Sequence, residues 1–355
     1  MRGLIVVLLG CSVTGCAERD GAASLLGNGD PSRISIDVVL DRKLDVPRDL
    51  GFHPKREGEL WIVNQGFEGA VIIRDLGTED EKTPKYDDDI SGPHFFAKPA
   101  GIAFGDNGMM ATIHDTDEKT QGENGTPPDF MGPTLWTTNL KDFDGGDMGH
   151  TDMLHNTPLG MGIAWEKDNV YWVFDGYHRS VTRYDFQEDH GLGGTDHTDG
   201  IIARYIEGEV KRSKDGTPSH LWFDHATDEL YVVDTGNNRV IVLDTRTGER
   251  GAPLSPNYDG CEMYSMDGAD YRVFVEGADH GMVKPSGIDV QGDLVYVSDA
   301  GSPAVYAFSK STGELVDFAE IPHDINGIAF DPAGDLYFVD PVANAVLRIN
   351  RPDDE

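Results

Sequence analysis

The sequence predicts an all-β fold, a six-bladed β-propeller, because one strand pattern recurs along the chain. Each copy begins with a Pro or another turn residue, continues through an apolar strand and a tight polar turn, and ends a second strand on a polar residue. The six copies begin at Pro47, Pro99, Gly160, Pro218, Pro285 and Asn326. Repetition at this spacing predicts a repeat architecture, and short strands with tight turns are typical of propeller blades.

The N-terminus predicts export and a lipid anchor. Arg2 precedes the apolar stretch 4–9, which is far shorter than the roughly 20 residues a membrane span needs. Val13-Thr-Gly-Cys16 resembles a bacterial lipobox, which implies a signal peptide over residues 1–15 and lipid on Cys16. The alternatives are cleavage before Cys11 or an ordinary secretory signal. The expected location is the cell envelope, in the periplasm or at the outer membrane.

The two ends of the chain are expected to close the ring together. Residues 16–33 are rich in Gly, Ser and Asp and predict a flexible tether, and the alternating stretch 34–40 predicts one strand. The last repeat is one strand short, so this N-terminal strand is predicted to complete the last blade. The propeller would then span 34–350, followed by an acidic tail at 351–355.

Three long polar segments interrupt the repeat, at 76–94, 115–157 and 249–280. We expect the second and third of them to cover one mouth of the central channel. Helical periodicity is not sustained anywhere along the chain, which agrees with an all-β fold.

The charge balance restricts the partners. The chain has 63 acidic and 29 basic residues, a net charge of −34. Such a chain repels nucleic acids and anionic lipid, so the only membrane contact expected is the N-terminal lipid, and cations or basic partners are favoured. Solubility alone is the other explanation of this charge.

The stretch Leu230–Asp244 resembles the NHL repeat, and so do the fifth and sixth repeats. The resemblance implies a six-bladed propeller, a fold that hosts lyases, lactonases and binding modules. NHL-type amidating lyases carry metal-binding histidines after the first Pro of the motif. This sequence has no histidine there; the position holds Arg48, Ala100, Met161, Ser219, Ser286 and Asn326. Asn326-Gly-Ile328 resembles one element of the gluconolactonase metal site, but the other repeats contain no equivalent of its Glu or of its second Asn.

The polar residues that end the second strands are candidate ligand-binding residues at the channel mouth, together with Asn326. They form one aligned column: Asn64, His114, Asp175, Asp234, Asp299 and Asp340. Carboxylates in this position could face a cation, or each could cap its own turn by bonding to the backbone. His114 breaks the column and is the better functional candidate.

The loop 185–200 predicts a metal site. Its carboxylates Asp189, Asp196 and Asp199 are hard oxygen ligands suited to calcium. Its imidazoles His190 and His197 favour a transition metal instead. The alternative is an acidic, solvated loop on the face away from the mouth.

A second metal candidate lies ahead of the third repeat, where Met148, His150, Met153 and His155 alternate with carboxylates. Thioether and imidazole ligands select copper. Alternatively, Met153 simply packs inward as a gap filler. This segment leads into a first strand, so we expect His155 at the channel mouth near His114.

Two functions follow as expectations. The first is a monomeric, lipid-anchored binding module that takes a small molecule or a protein at the channel mouth, with calcium or a transition metal bound. The alternative is a metal-dependent lyase or lactonase-like hydrolase at the same mouth, with His114 and His155 as candidate catalytic residues.

Overall fold

Short strands separated by tight turns form six small sheets in the computed structural model, which describes residues 25–29, 31–87, 95–117, 130–143 and 150–350. Cys16, Met148 and the tail 351–355 lie outside the described residues. Among the described residues, no helix has the length and apolar character needed to cross a bilayer.

The strands, in chain order, are β1 (Ser35–Leu40), β2 (Pro47–Phe52), β3 (Leu60–Asn64), β4 (Gly69–Ile73), β5 (Lys85–Asp87), β6 (Pro99–Phe104), β7 (Met109–His114), β8 (Thr134–Thr137), β9 (His150–Met153), β10 (Gly160–Lys167), β11 (Val170–Asp175), β12 (Ser180–Asp185), β13 (Ile201–Tyr205), β14 (Leu221–Asp224), β15 (Glu229–Asp234), β16 (Arg239–Asp244), β17 (Glu249–Pro253), β18 (Glu262–Asp267), β19 (Tyr271–Glu276), β20 (Pro285–Gln291), β21 (Leu294–Asp299), β22 (Ala304–Ser309), β23 (Leu315–Glu320), β24 (Ile328–Phe330), β25 (Leu336–Asp340) and β26 (Ala345–Asn350). The described helices are α1 (Leu140–Phe143) and short 3₁₀ turns at Gly27–Gly29, Pro31–Arg33, Thr235–Asn237 and Gly277–His280.

Each sheet is one blade of a six-bladed β-propeller, which confirms the predicted fold class. The blades, from the first strand outward, are β2–β5, β6–β9, β10–β13, β14–β16 with β19, β20–β23, and β24–β26 with β1. The first strands surround the axis, and the fourth strands form the rim.

The second strands are buried on both faces because each blade packs between two others. All six residues of β11 are buried, and its Trp172 lies fully inside the cluster that joins blades three and four. Trp61 and Trp136 fill the corresponding space between blades one and two. The core is therefore a ring of inter-blade clusters rather than one central mass.

The N-terminal strand completes the last blade, as predicted. β1 pairs antiparallel with β26, with Ser35 opposite Asn350 and Leu40 opposite Val346. Leu40 is 1% exposed and packs with residues of blades one and six. The strand therefore covers the outer edge of β26 and joins both ends of the chain in one sheet.

The structure corrects the expectation for segment 249–280, and it places the strands in the described part of segment 115–157 away from the mouth as well. Segment 115–157 supplies β8 and β9, the two outer strands of blade two. Segment 249–280 supplies β19 of blade four and the hairpin β17–β18, which extends blade three through a parallel pairing of β13 with β18. These strands lie in the outer parts of the blades and not across the mouth. The sequence pattern did not reveal them because the loops between them are long and polar.

Closure by β1 can be tested with two truncations in that strand. We expect Leu40→Ala to lower the free energy of unfolding by about 2–4 kcal/mol, since the side chain is buried where the two ends of the chain meet. Val38→Ala is the matched control, because Val38 is 59% exposed and should change stability by less than about 0.5 kcal/mol. Urea unfolding measures both. Equal effects of the two variants would contradict this role of β1.

Candidate functional site

The side chains that end the second strands are buried and bonded to neighbouring groups. Asp299, for example, accepts hydrogen bonds from the backbone N–H of Val283, Lys284 and Gly301 at 2.6, 2.7 and 2.8 Å. The same column accepts backbone N–H groups in other blades, at Asn64, Asp175, Asp234 and Asp340. Asp175 and Asp340 cap their own turns, and so does the bond of Asp299 to Gly301. Asn64, Asp234 and the other bonds of Asp299 instead hold the segment that leads into the first strand of the same blade.

His114, the exception in that column, lies inside blade two and is fully buried. Its Nδ1 is 3.0 Å from the carbonyl oxygen of Ala97, and its Nε2 is 3.3 Å from Oγ1 of Thr134. Both ring nitrogens therefore contact groups of its own blade, and the imidazole links β7 to β8.

The channel contains two cavities at different levels along the axis. The first strands begin at one mouth of the channel, which we call the loop-side mouth. A cavity of about 240 Å³ lies there among residues such as Arg48, Gln65, Thr217 and Asn326. Further along the same strands a second cavity, of about 230 Å³, is lined by residues from all six blades.

Between the two levels, the residue two positions after the first Pro of the motif approaches the axis; in blades three and six, which lack that Pro, it is the residue two positions after Gly160 and Ile325. In four blades this residue is a glycine: Gly101, Gly162, Gly287 and Gly327. A Cβ at Gly327 would collide with Oδ1 of Asp49 and lie 2.9 Å from Cε1 of His220, so only glycine fits there. Asp49 and His220 occupy this position in blades one and four, which face each other across the ring.

Asp49 and His220 form a buried pair on the axis, with Oδ1 and Nδ1 3.4 Å apart. His220 Nε2 donates to the carbonyl oxygen of Ala100 at 3.2 Å, which leaves Nδ1 as an acceptor facing the carboxyl group. Oδ2 of Asp49 accepts the backbone N–H of Ile102 at 3.0 Å. The pair therefore connects blades one, two and four.

Burial makes this pair neutral. Desolvation raises the pKa of Asp49 to about 8 against two backbone hydrogen bonds and Arg48, and it lowers the pKa of His220 to about 3. Burial also raises the pKa of Asp289 in the same cavity to about 6. At neutral pH the proton of the pair therefore sits on Asp49. Titratable groups perturbed in this way are typical of functional sites as well as of structural ones.

The sequence contains a signal for this pair. Among the repeats, the informative difference lies one position after the residue that directly follows the first Pro. Four blades have glycine at this position, which indicates a crowded site. The other two blades have Asp49 and His220 there.

At the loop-side mouth, one buried carboxylate is shared by two guanidinium groups. Asp115 accepts hydrogen bonds from Arg212 at 2.6 and 3.0 Å and lies 3.5 Å from Nη2 of Arg48. Arg48 is 4% exposed and also donates to the side chain of Gln65 at 2.6 Å and to the carbonyl oxygen of Gly216 at 2.5 Å. The group of three charges therefore keeps a net positive charge.

A separate cluster of Asp and His side chains lies at the rim between blades two and three. Oxygen or nitrogen atoms of Asp152, His190 and His197 all lie within 4.8 Å of one another. The two metal candidates predicted from separate segments thus meet in one place, since Asp152 is on β9 and both histidines are in the loop 186–200. His150 and His155 border the cluster, with ring centroids 4.9 Å from His190 and 6.0 Å from His197 respectively.

Backbone contacts hold this loop against β9. The N–H of His190 donates to the carbonyl oxygen of Thr151 at 3.0 Å. Gly194 allows the loop to fold back, because a Cβ there would lie 2.8 Å from Nδ1 of His190. The sequence alone could not show this contact, since nothing in the repeat pattern brings the loop to the neighbouring blade.

The cluster contains buried polar atoms that lack hydrogen-bond partners among the described residues: Oδ2 of Asp152 and Nε2 of both His155 and His190. Oδ1 of Asp152 is 2.8 Å from Nδ1 of His197. Burial raises the pKa of Asp152, although the contact with His197 opposes that rise. Burial alone would lower the pKa of His197, but the contact with Asp152 outweighs it, so the pKa of His197 is raised. Two imidazoles and one carboxylate suit a transition metal better than calcium.

The other predicted ligands have separate contacts. Asp189 and Asp196 accept the N–H groups of Gly191 and Thr198 at 3.0 and 3.1 Å, and Asp199 accepts that of Glu188. Met153 is fully buried in a small apolar cluster.

His155 does not lie among the residues at the channel mouth. Its Nδ1 is 2.5 Å from Asp259, in the loop of the β17–β18 hairpin, and its ring lies 4.0 Å from that of Phe130.

Comparisons with known proteins show the fold. No family model matches the chain, and no curated protein matches it. An auxiliary nutrient binding protein from Bacteroides thetaiotaomicron is 14% identical, with a TM-score of 0.58, over 93% of this chain and 76% of that one. A virginiamycin B lyase from Staphylococcus aureus, solved with quinupristin, is 13% identical, with a TM-score of 0.52, over 90% and 87%. The nidogen/laminin complex gives 13% identity and a TM-score of 0.54, over 82% and 87%.

The axial pair predicts a pH dependence of stability. The pKa of Asp49 is about 8 in the folded protein, whereas an Asp in the unfolded chain loses its proton near pH 4. Between roughly pH 6.5 and 8 the folded state therefore binds more protons, and stability falls as pH rises, by at most about 1.4 kcal/mol per unit. His220, with its pKa lowered to about 3, contributes a slope only below about pH 6.5.

We expect Asp49→Asn to remove that fall, because asparagine has the same shape and does not ionise. Urea unfolding of the variant and of the native chain at several pH values between 6.5 and 8 measures the slope. Asp289→Asn is the control, since the pKa of Asp289 is about 6 and the group titrates mostly below this window. An unchanged slope in Asp49→Asn would show that the carboxyl is already ionised at neutral pH.

Proposed function

We propose that this chain is an exported, lipid-anchored propeller that binds a small molecule at the loop-side mouth of its channel and holds a transition-metal ion at the rim. The observation that carries the proposal is the loop-side cavity of about 240 Å³. It is smaller than the pockets that enclose drug-sized ligands, which fits a small metabolite.

Several polar groups converge on this cavity from different blades. Arg48 and Gln65 come from blade one, Thr217 from the connection between blades three and four, and Asn326 from the start of blade six. Asn326 was predicted as a ligand-binding residue, and the proposal keeps it in that role. Below them, the neutral Asp49–His220 pair occupies the axis, so a ligand would enter from the loop side.

The proposed metal site consists of Asp152, His190 and His197. Asp152 is completely buried, and its Oδ2 has no partner among the described residues. A buried carboxylate oxygen in this condition is costly, and a bound cation would remove the cost. The site holds blade two against the loop of blade three, so we assign it a structural role.

Export and lipid attachment at Cys16 rest on the sequence, because residue 16 lies outside the described residues. Proteins of similar fold are described as nutrient-binding proteins and as lyases, and one is part of a protein complex. Nutrient binding agrees with the cavity.

The alternative function, a metal-dependent enzyme with His114 and His155 at the mouth, has less geometric support. Both nitrogens of His114 contact groups within blade two. His155 faces the β17–β18 hairpin through Asp259.

Ligand binding can be tested by filling the cavity. A panel of monosaccharides, amino acids, small carboxylic acids and phosphate esters should contain at least one compound that raises the thermal midpoint of the native chain. Thr217→Trp should abolish that shift, because Thr217 lines the cavity. Ala333→Trp, at an exposed position in a different surface depression, is the matched control and should keep the shift. A compound bound equally by both variants would place the ligand elsewhere.

Metal binding can be tested by elemental analysis of protein purified without chelators. We expect about one transition-metal ion per chain, and its loss in the double variant His190→Ala, His197→Ala. His225→Ala is the control because this exposed histidine lies in blade four, away from the cluster. Full metal content in the double variant would exclude the site.

A further inference from the structure

The loop-side mouth has the opposite charge to the rest of the protein. The chain carries 63 acidic and 29 basic residues, yet the loop-side cavity and the depression beside it are lined by five basic and two acidic side chains. With Asp115, which contacts two of the basic groups, basic side chains still outnumber acidic ones at this mouth. The basic ones are Arg48, Lys211, Arg212, Lys214 and Lys284. A positive patch on a strongly negative surface concentrates field lines at one place.

We infer that the ligand of this mouth is an anion, a small molecule with a carboxylate or phosphate group that binds to Arg48. This inference rests on the proposed function and names the ligand class of the same site. It differs from what the net charge suggests, which is a preference for cationic partners.

Arg48 is buried, and its charge is only partly compensated. Its Nε has no hydrogen-bond partner among the described residues, and its nearest carboxylate is 3.5 Å away. That carboxylate, Asp115, is closer to Arg212, at 2.6 Å. A buried cation that lacks its own counterion is costly, and an anion in the cavity would supply one.

Of the three lysines around the mouth, two are exposed and one is paired with a carboxylate. Lys211 and Lys214 are exposed and lie on the connection between blades three and four. Further along this connection, the carbonyl oxygen of Gly216 accepts a hydrogen bond from Arg48. Lys284 pairs with Asp215 at 2.5 Å, which holds the same connection in place from blade five. The guanidinium thus supplies directed hydrogen bonds, and the lysines supply attraction at short range within the mouth.

Calorimetric titration tests the inference, with sodium succinate and sodium phosphate as probes, against sodium chloride at matched ionic strength and against neutral succinamide. We expect at least one of the two anions to bind, and chloride and succinamide not to. Binding of succinate alone assigns a carboxylate ligand, and binding of phosphate alone assigns a phosphate ester. If neither anion binds more strongly than chloride, the inference is wrong.

Variants locate the binding. Arg48→Gln should lower the affinity for the anion at least tenfold, and Arg48→Lys should recover part of that affinity. The double variant Lys211→Gln, Lys214→Gln should weaken it a few-fold and reduce its salt dependence, and both positions are exposed enough to leave folding intact. Lys167→Gln with Arg250→Gln is the charge-matched control on blade three. The inference is wrong if Arg48→Gln and the lysine double variant both bind the anion with native affinity. If Arg48→Gln does not fold, native affinity in the lysine double variant alone overturns it.

The two proposals fail separately. A neutral compound from the panel that Thr217→Trp blocks and Arg48→Gln leaves unaffected would support a ligand-binding mouth and reject an anionic ligand. A native chain that binds neither neutral nor anionic compounds would reject the proposed function itself.

Discussion

Close contact of the six first strands at the axis is the constraint on which the rest of the structure depends. A Cβ at Gly162 would collide with the backbone of Ser219, and one at Gly287 would collide with that of Asn326 in the next blade. The backbone N–H of His220 donates to the carbonyl oxygen of Ser286 at 3.0 Å and thereby joins blades four and five at the same level. Because the ring is this narrow, only two blades carry a side chain there, and those two must fit each other. Asp49 and His220 do so across the ring, at the cost of burying two titratable groups.

That cost explains why the pair is neutral. A buried ion pair needs hydrogen bonds to satisfy its remaining donors and acceptors, and the axis offers few of them. The backbone N–H of Ile102 and the carbonyl oxygen of Ala100 satisfy one atom on each side. With the proton on Asp49, the two remaining atoms face each other as donor and acceptor, so no net charge has to be buried. The same arrangement keeps a polar, protonatable contact in the wall of the second cavity.

The fold could be read from the sequence because the repeat is a local pattern. Each copy encodes its own turn, its own apolar strands and the Asx cap that ends the second strand, as at Asp299, and the missing strand of the last copy indicated closure by β1. The candidate sites depend on contacts that the repeat does not encode. Asp152 and His197 are 45 positions apart and meet only because the loop of blade three folds onto the rim of blade two. His114 differs from its column for a structural reason, the link to Thr134 on the next strand, which the sequence column alone could not show.

Net charge and local charge lead to different conclusions about partners in this chain. A net charge of −34 describes the field at a distance, where it opposes any anion and falls off within about 10 Å at 0.1 M salt. Inside the mouth, the distances are shorter than that, and the nearest charges decide. Arg48 and Arg212 share one carboxylate within 3.5 Å, and that local excess acts in a partly desolvated space, where each charge interacts more strongly than in water. An acidic surface around a basic mouth would slow the approach of anions at low salt and still allow tight contact once one enters.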